Sequence, residues 1–375
     1  MFLFVVLFLG LILIGSNVYL AWRLGSLLRG LFGYRKHYNL IVYGAVFVLT
    51  VFLILSLTTK VGFFVAVGSV YMGIWVNLLL CFLLCEAVFA ITRLFLSEAN
   101  RNKAKPIQRI LCLALPILLS FYGFLNAAIV TTTEYEITLD KKGSDLKIVM
   151  ISDLHLGALG SEAKLDGWVD AINEEKPDLV LIAGDIVDSD YHKIKDPERA
   201  AAILASIRST YGVYGCLGNH DAGKTYSDMI AFFDRANITI LRDEYEIVPD
   251  KAILIGRRDS SPIGFSDVEK GRRAIGEIVD TLPTTDLPII VMDHNPASIG
   301  EYDARVDLVV SGHTHKGQVF PAGLLTNLLY TEDYGRYQAN PSAPVLIVTS
   351  GIGGWGMPMR TSGHSEICVI TVSEQ

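Results

Sequence analysis

Cysteine is scarce in this sequence, and its spacing excludes more than its number does. The 375 residues carry five, Cys81, Cys85, Cys112, Cys216 and Cys368. No interval among them matches a disulfide framework or a structural zinc site. All five are expected as buried free thiols, a use typical of the residue. Acidic side chains are nearly missing from residues 1–130, where Glu86 and Glu98 face ten Lys and Arg, a formal +8. The remainder has 22 basic against 37 acidic residues, or −15, which brings the whole chain to −7. That acidic balance argues against nucleic acid as the main partner, since phosphate backbones are held by clustered Lys and Arg. Tandem repeats and low-complexity segments are absent as well. The charge contrast predicts two domains, 1–130 and 131–375.

What the first part has is apolar length. Four runs, about 2–22, 39–57, 63–92 and 110–130, are long enough to cross a bilayer, which takes roughly 20 residues per helical span. The first run has no basic stretch before it and three more follow, so it is expected as a spanning helix and not as a signal peptide. Arg23, Arg29, Arg35 and Lys36 fall between runs one and two, and Arg93, Arg101, Lys103, Lys105 and Arg109 between three and four; the second connection has only Lys60. Cytoplasmic loops are the basic ones. Four spans then predict an integral plasma-membrane protein with everything after residue 130 outside the cytoplasm. Glu86 is the acid inside a span, which makes it a functional candidate, or else a paired group near a helix end.

After residue 130, Thr131 to Asp145 reads as a polar connector entering an edge strand. Strand-like runs then alternate with helical ones: strand 147–152, helix 161–175, strand 179–184, helix 196–209, strand 213–217, helix 225–236 and strand 238–241. Such alternation predicts a parallel-rich α/β layer. The rhythm changes to a hairpin, 245–248 with 252–256, and strands 288–292, 307–311, 345–350 and 366–372 with less helix between them. Two sheets packed face to face with helices outside fit both halves.

Five of these strands end in metal-ligand residue types. Asp178-Leu-Val-Leu-Ile-Ala-Gly-Asp185 is a buried run closing on a carboxylate. Around it stand Asp153-Leu-His155, Gly218-Asn219-His220-Asp221, Asp293-His294-Asn295 and Gly312-His313-Thr314-His315. In open α/β sheets ligands sit at the carboxyl ends of strands. Asp153, His155, Asp185, Asn219, His294, His313 and His315 make seven potential ligands, without thiolate, which suits Mn, Fe, Zn or Co in a hydrolytic site. Asp153 and His155 are two apart in an extended segment and point the same way. Seven donors exceed the needs of one open ion but suit two ions roughly 3.5–4 Å apart that share Asp185. A single histidine at a strand end is more often structural; the joint occurrence carries the inference. His37, His192 and His364 are expected as solvated or surface positions.

The ordered series Asp-x-His, Gly-Asp-x-x-Asp, Gly-Asn-His-Asp, a lone His and Gly-His-x-His resembles the calcineurin-like metallophosphoesterase family, over residues ~146 to 372. His294-Asn295-Pro296 and the late Ser350-Gly351-Ile-Gly353 are similar to a membrane-anchored branch of it. The resemblance implies a four-layer sandwich of two mixed sheets flanked by helices, here preceded by a bundle of about four transmembrane helices. It also implies Asp153, His155, Asp185 and His315 on one divalent ion and Asp185, Asn219, His294 and His313 on the other. A water or hydroxide between the two would attack phosphorus. His220 is then the catalytic acid candidate and Asp221 the group that orients its ring. Asp188 is expected outside the ligand set, and Lys316 and Arg360 as candidate substrate contacts.

The expected function is a membrane-anchored binuclear-metal phosphoesterase acting on phosphate mono- or diesters. Anchoring favours a phospholipid or lipid-linked pyrophosphate, by analogy with similar UDP-diacylglucosamine hydrolases. The competing expectation is a transporter or sensor in residues 1–130 regulated by the metal domain.

Overall fold

Five consecutive apolar residues, Leu179–Ala183, form a strand buried on both faces. The second half of the chain is layered around it. The computed structural model describes residues 2–33, 36–59, 61–142, 145–157, 161–263 and 271–374. The chain divides into two compact units: Met1–Leu125 with Gly356–Thr361, and Asn126–Trp355 with Ser362–Gln375.

The first unit is helical: α1 (Phe2–Phe32), α2 (Lys36–Thr58), α3 (Gly62–Phe95) and α4 (Glu98–Asn126). Each contains 22 to 34 residues long and apolar enough to cross a membrane. The helices outrun the apolar runs that mark them. Arg23 and Arg29 lie in α1, Arg93 in α3, and Arg101, Lys103, Lys105 and Arg109 in α4, where loops were expected. Basic side chains are good helix formers and do not end a helix as Gly or Pro would. Arg35 and Lys60 lie outside the described residues. The fourth helix ends at Asn126 and not at 130, because Val130 already belongs to a strand. Two polar contacts lie within the unit: Glu86 pairs with Arg23 at 3.0 Å, and Asn77 donates to Ser120 at 3.1 Å. The segment Gly356–Thr361 joins these helices through the Arg360 amide, which donates to the Gly123 carbonyl at 2.9 Å, and through the buried Met359 beside Asn77.

The second unit runs β1 (Val130–Leu139), β2 (Leu146–Ile151), α5 (Leu165–Glu174), β3 (Leu179–Ala183), α6 (Pro197–Leu204), β4 (Val213–Cys216), α7 (Tyr226–Arg235), β5 (Thr239–Ile240), β6 (Glu244–Val248) and β7 (Ala252–Gly256). It continues through α8 (Ile275–Val279), β8 (Ile289–Met292), β9 (Leu308–Ser311), α9 (Ala322–Leu329), β10 (Gly335–Tyr337), β11 (Val345–Val348) and β12 (Ser365–Glu374). Among the described residues the strands form two mixed six-stranded sheets, β1-β12-β2-β3-β4-β5 and β10-β11-β9-β8-β7-β6.

The period-2 alternation of strands sorts the core into layers. Leu179, Leu181 and Ala183 face Leu254, Ile290, Met292, Leu308 and Val310 of the other sheet. Val180 and Ile182 face α5, α6 and α7 through Trp168, Leu204 and Phe232. Ile253, Val291 and Val309 pack outward against Ile275 and Ile278 of α8. The result is the expected four-layer sandwich of two mixed sheets flanked by helices.

Local expectations differ in five places. The connector expected over 131–145 is largely β1, paired in parallel with β12 along all ten residues. The helix expected to reach 209 stops at Leu204, and α8, α9 and β10 were not anticipated. Lone β1 residues alternate Thr and Glu with Tyr and Ile, a pattern whose edge character hides a strand until its partner is known.

Leu181 has no exposed surface between the sheets. Leu181→Ala in the full chain is expected to destabilise the second unit by about 2–5 kcal/mol. A lowered thermal midpoint, followed by circular dichroism in detergent, checks this; an unmoved midpoint would mean the two sheets do not share that core.

Candidate metal centre

The seven candidate ligands sit where β2, β3, β4, β8 and β9 end. The sheet ladder continues past each strand end, with the Asp153 amide donating to Gly184, His155 to Asp185 and Gly312 to the His294 carbonyl, each at 3.0 Å. Backbone curvature then turns the side chains inward. Asp153, His155, Asp185, His313 and His315 all have positive φ, between 46° and 72°. Non-glycine residues rarely adopt this conformation, and each instance costs of order 1–3 kcal/mol.

The distances between donor atoms are short. His155 Nε2 lies 3.2 Å from His315 Nε2, and His315 Nε2 3.3 Å from Asp153 Oδ1. On the other side, His294 Nε2 lies 3.2 Å from Asn219 Oδ1 and from His313 Nδ1, and His313 Nδ1 2.9 Å from Asn219 Oδ1. Asp185 stands between the two sets, its Oδ2 3.7 Å from His155 Nε2 and 3.2 Å from His294 Nε2. Two donors each about 2.0–2.2 Å from a common cation would be roughly 3 Å apart, so this spacing fits shared coordination.

Three further observations test the fit to a cation. Asp153 Oδ1 is buried and accepts no hydrogen bond. A buried carboxylate oxygen in that condition is costly unless a positive charge faces it. The far nitrogens of the rings are held: His294 Nδ1 by the Ala183 carbonyl at 2.8 Å, His313 Nε2 by the Tyr330 hydroxyl at 3.0 Å, while His155 Nδ1 faces Asp188 at 3.5 Å. That leaves the near nitrogens free to donate electron pairs. Electrostatics agree. Burial alone would raise the carboxyls of Asp153, Asp185 and Asp188, yet the imidazoles, led by His315, His294 and His155 respectively, hold all three below the ordinary range. Against the same burial, Asp185 lifts the basicity of His294, and Asp188 that of His155. His313 runs the other way: partial burial and the neighbouring His294 depress it to about 4.

His220 and Asp221 part company. Ser189 Oγ lies 2.8 Å and Asp188 Oδ1 3.1 Å from His220 Nδ1. The Asp221 carboxylate instead accepts from the amides of Val187 at 2.7 Å, Gly218 at 3.0 Å and Ile186 at 3.1 Å. The expected orienting role of Asp221 is therefore corrected: adjacent residues on this turn diverge, and Asp188 holds the ring. Ser189 and Tyr330 were missed altogether. Ser189 directly follows the Gly-Asp-x-x-Asp motif, whereas no sequence signal ties Tyr330 to His313. Lys316 rests its ammonium over the Tyr334 ring, 3.7 Å from the centroid. Arg360 is buried and belongs to the helical unit.

A family model for the calcineurin-like phosphoesterase matches residues 146–317. An uncharacterized metallophosphoesterase of Helicobacter pylori is 33% identical over 63% of this chain and 62% of its own length. A transmembrane protein with metallophosphoesterase domain of Danio rerio is 32% identical over 71% of this chain and 63% of its own length. The uncharacterized metallophosphoesterase YkuE of Bacillus subtilis is 30% identical over 67% of this chain and 89% of its own length. The chain belongs to the calcineurin-like metallophosphoesterase family. It spans under two thirds of the Helicobacter and Danio relatives.

Glycine is required at Gly184, where φ is +80° and a Cβ would lie 2.7 Å from the Gly218 nitrogen and 2.8 Å from His294 Nδ1. Gly184→Ala is expected to lower both the thermal midpoint and the divalent-metal content of the purified protein. At Gly167 in α5 a Cβ meets nothing within 4 Å. Gly167→Ala is expected to be neutral or to stabilise by up to about 1 kcal/mol. Equal metal content in the two variants would remove the close approach at Gly184 as a requirement of the site.

Proposed function

We propose that this chain is a membrane-anchored phosphoesterase that hydrolyses phosphate mono- or diesters at a pair of divalent cations. The observation that carries the proposal is the meeting of seven donor groups from five strand ends, with neighbouring donors 2.9–3.8 Å apart, among them a buried carboxylate oxygen that accepts no hydrogen bond. Asp153, His155, Asp185 and His315 would hold one cation and Asp185, Asn219, His294 and His313 the other. Such a pair, when bound, supplies Lewis acidity toward the phosphoryl oxygens and an acidified water.

The protein's own contribution is to position and to move protons. Asp188 and Ser189 occupy His220 Nδ1, so Nε2 is the nitrogen left to meet the ester. In hydrolysis a water oxygen bonds to phosphorus, the ester P–O bond breaks, and His220 delivers a proton to the departing oxygen. The Asp185 carboxylate also accepts from the His220 amide at 2.8 Å, which ties the acid to the shared ligand.

The four long apolar helices support anchorage in a membrane. Basic residues gather at the ends joining α1 to α2 and α3 to α4, among them Arg29, Lys36, Arg93 and Arg101. The positive-inside rule then supports an extracytoplasmic hydrolase domain on the plasma membrane. The pairing of Glu86 with Arg23 supports a structural role for that acid over the transporter reading.

Purified full-length protein should contain two equivalents of Mn, Fe, Zn or Co and hydrolyse p-nitrophenyl esters. Asp185→Ala is expected to lose metal and activity together. His220→Ala should keep metal while turnover drops about 10²–10⁴-fold. Loss of metal in both variants, or activity surviving in Asp185→Ala, would reject the assignment.

The partner of His220 is open to a second test. Asp188→Asn is expected to reduce turnover roughly 10–100-fold. Asp221→Asn should act mainly on stability, because its carboxylate ties three amides. If Asp221→Asn slows turnover without moving the thermal midpoint and Asp188→Asn does neither, the roles are reversed.

A further inference from the structure

Helix α9 turns its leucines outward. Leu324 and Leu328, and Leu325 and Leu329, are spaced four apart and share one face. That face points outward, the four being 63%, 82%, 55% and 68% exposed. The opposite side packs at Gly323, which is buried, and at Thr326, half-buried, whose hydroxyl bonds the Asp333 carboxylate at 3.1 Å. Phe320 extends the patch at 43% exposed. A scattered exposed leucine means little, but a contiguous apolar patch marks an interaction surface. Residues 317–331, fifteen in a row, carry no charge.

The patch adjoins the candidate metal centre. The helix follows the His315–Gly317 turn and ends at Leu329, just before Tyr330, whose hydroxyl holds His313. Trp355, 52% exposed, has its ring 6.0 Å from that of His220. The same chain carries its own tie to an apolar phase. Only residues 127–129 separate α4, which is long and apolar enough to cross a membrane, from β1. Three residues extend at most about 10 Å.

We propose that the leucine face of α9 seats in the apolar layer of the bilayer, and that the adjoining centre acts on the phosphate of a lipid. The second half of this statement rests on the phosphoesterase reading. The reaction is the one already written: a water oxygen bonds to phosphorus, the ester bond to the lipid or headgroup alcohol breaks, and the alcohol leaves protonated. An uncharged apolar helix that enters the interface presents the adjacent site to headgroup phosphates at the depth where they reside. A soluble phosphate ester would gain nothing from such a face.

The test uses the full chain in vesicles of phosphatidylcholine with phosphatidic acid or phosphatidylglycerol. Leu328→Cys is labelled with a fluorophore, the five native cysteines being buried, and spin-labelled lipid is the quencher. Arg199→Cys, on an exposed side chain of α6, is the reference. Quenching at 328 and not at 199 is expected. No quenching at 328, or disulfide-linked pairs of the 328 variant in its place, overturns the bilayer contact, the latter in favour of a second copy. In parallel, Leu325→Glu with Leu328→Glu should lower the ratio of vesicle-lipid to p-nitrophenyl phosphate hydrolysis about tenfold or more, since charge does not enter the apolar layer. An unchanged ratio, or hydrolysis of the soluble ester but of neither lipid, overturns the lipid substrate. If the unaltered protein hydrolyses none of them, the phosphoesterase reading fails, and the quenching result still decides the surface.

Discussion

Negative charge withdrawn from water at one point is the constraint that shapes the second unit. Asp153 and Asp185 are almost wholly buried and Asp188 nearly so. Removing a carboxylate from water costs several kcal/mol even after relaxation, and the cost is met only by positive charge with good geometry. Four imidazoles and an amide are gathered from both sheets to face these acids. Five of the residues involved accept left-handed backbone to do so. Strain at so many adjacent positions persists only where the surroundings leave no alternative. Here the surroundings are central strands whose side chains are buried between two sheets and under helices. The rigid sandwich and the strained rim are two parts of one arrangement.

This explains what a reader of the sequence can and cannot see. Strands such as Leu179–Ala183 and Leu308–Ser311 are apolar on both faces and stop abruptly at glycine or a polar ligand, so both their existence and their ends are legible. The ligands are legible for the same reason, since they occupy the first positions after the apolar run. Asp188 and Asp221 were harder to apportion. Adjacency in sequence favours Asp221 as the partner of His220, but the turn from Gly218 to Asp221 aims that carboxylate back at its own loop amides, and Asp188 arrives from a separate strand end. Tyr330 reaches His313 only through the path of α9, and nothing local announces that contact. Helix α9 was itself invisible for a physical reason. Its leucines face outward, so the usual inference from apolar periodicity to a buried helix face misplaces it. Edge strand β1 was half legible, because its polar alternation acquires meaning only through β12 at the other end of the chain.

The helical unit shows the opposite bias. Hydropathy locates its four helices easily but misjudges their ends, since Arg and Lys continue a helix that apolarity alone would terminate. The same pattern makes Glu86 look functional until Arg23 is found beside it. In an apolar medium a paired acid is the economical state, and charge that is neutralised in place is no evidence of a path for ions. The segment Gly356–Thr361, grouped with these helices, could not be assigned by hydropathy at all.

The buried carboxylates also separate two ways of holding charge. Asp185 and Asp188 face imidazoles and are held below the normal range despite burial. Asp221 is equally buried and accepts three backbone amides, yet burial and the nearby Asp185 raise it to about 6. Amide dipoles orient a carboxylate without balancing its charge against a neighbouring anion. Groups that can carry a full positive charge do balance it. A site assembled from imidazole and carboxylate therefore reserves its strongest electrostatic stabilisation for species that bring positive charge to the Asp153–Asp185 side, whether protons or cations. The amide-bound Asp221 is left to fasten the loops from which His220 and Asp188 project. That division of labour is what lets one rim be both strongly charged and conformationally fixed.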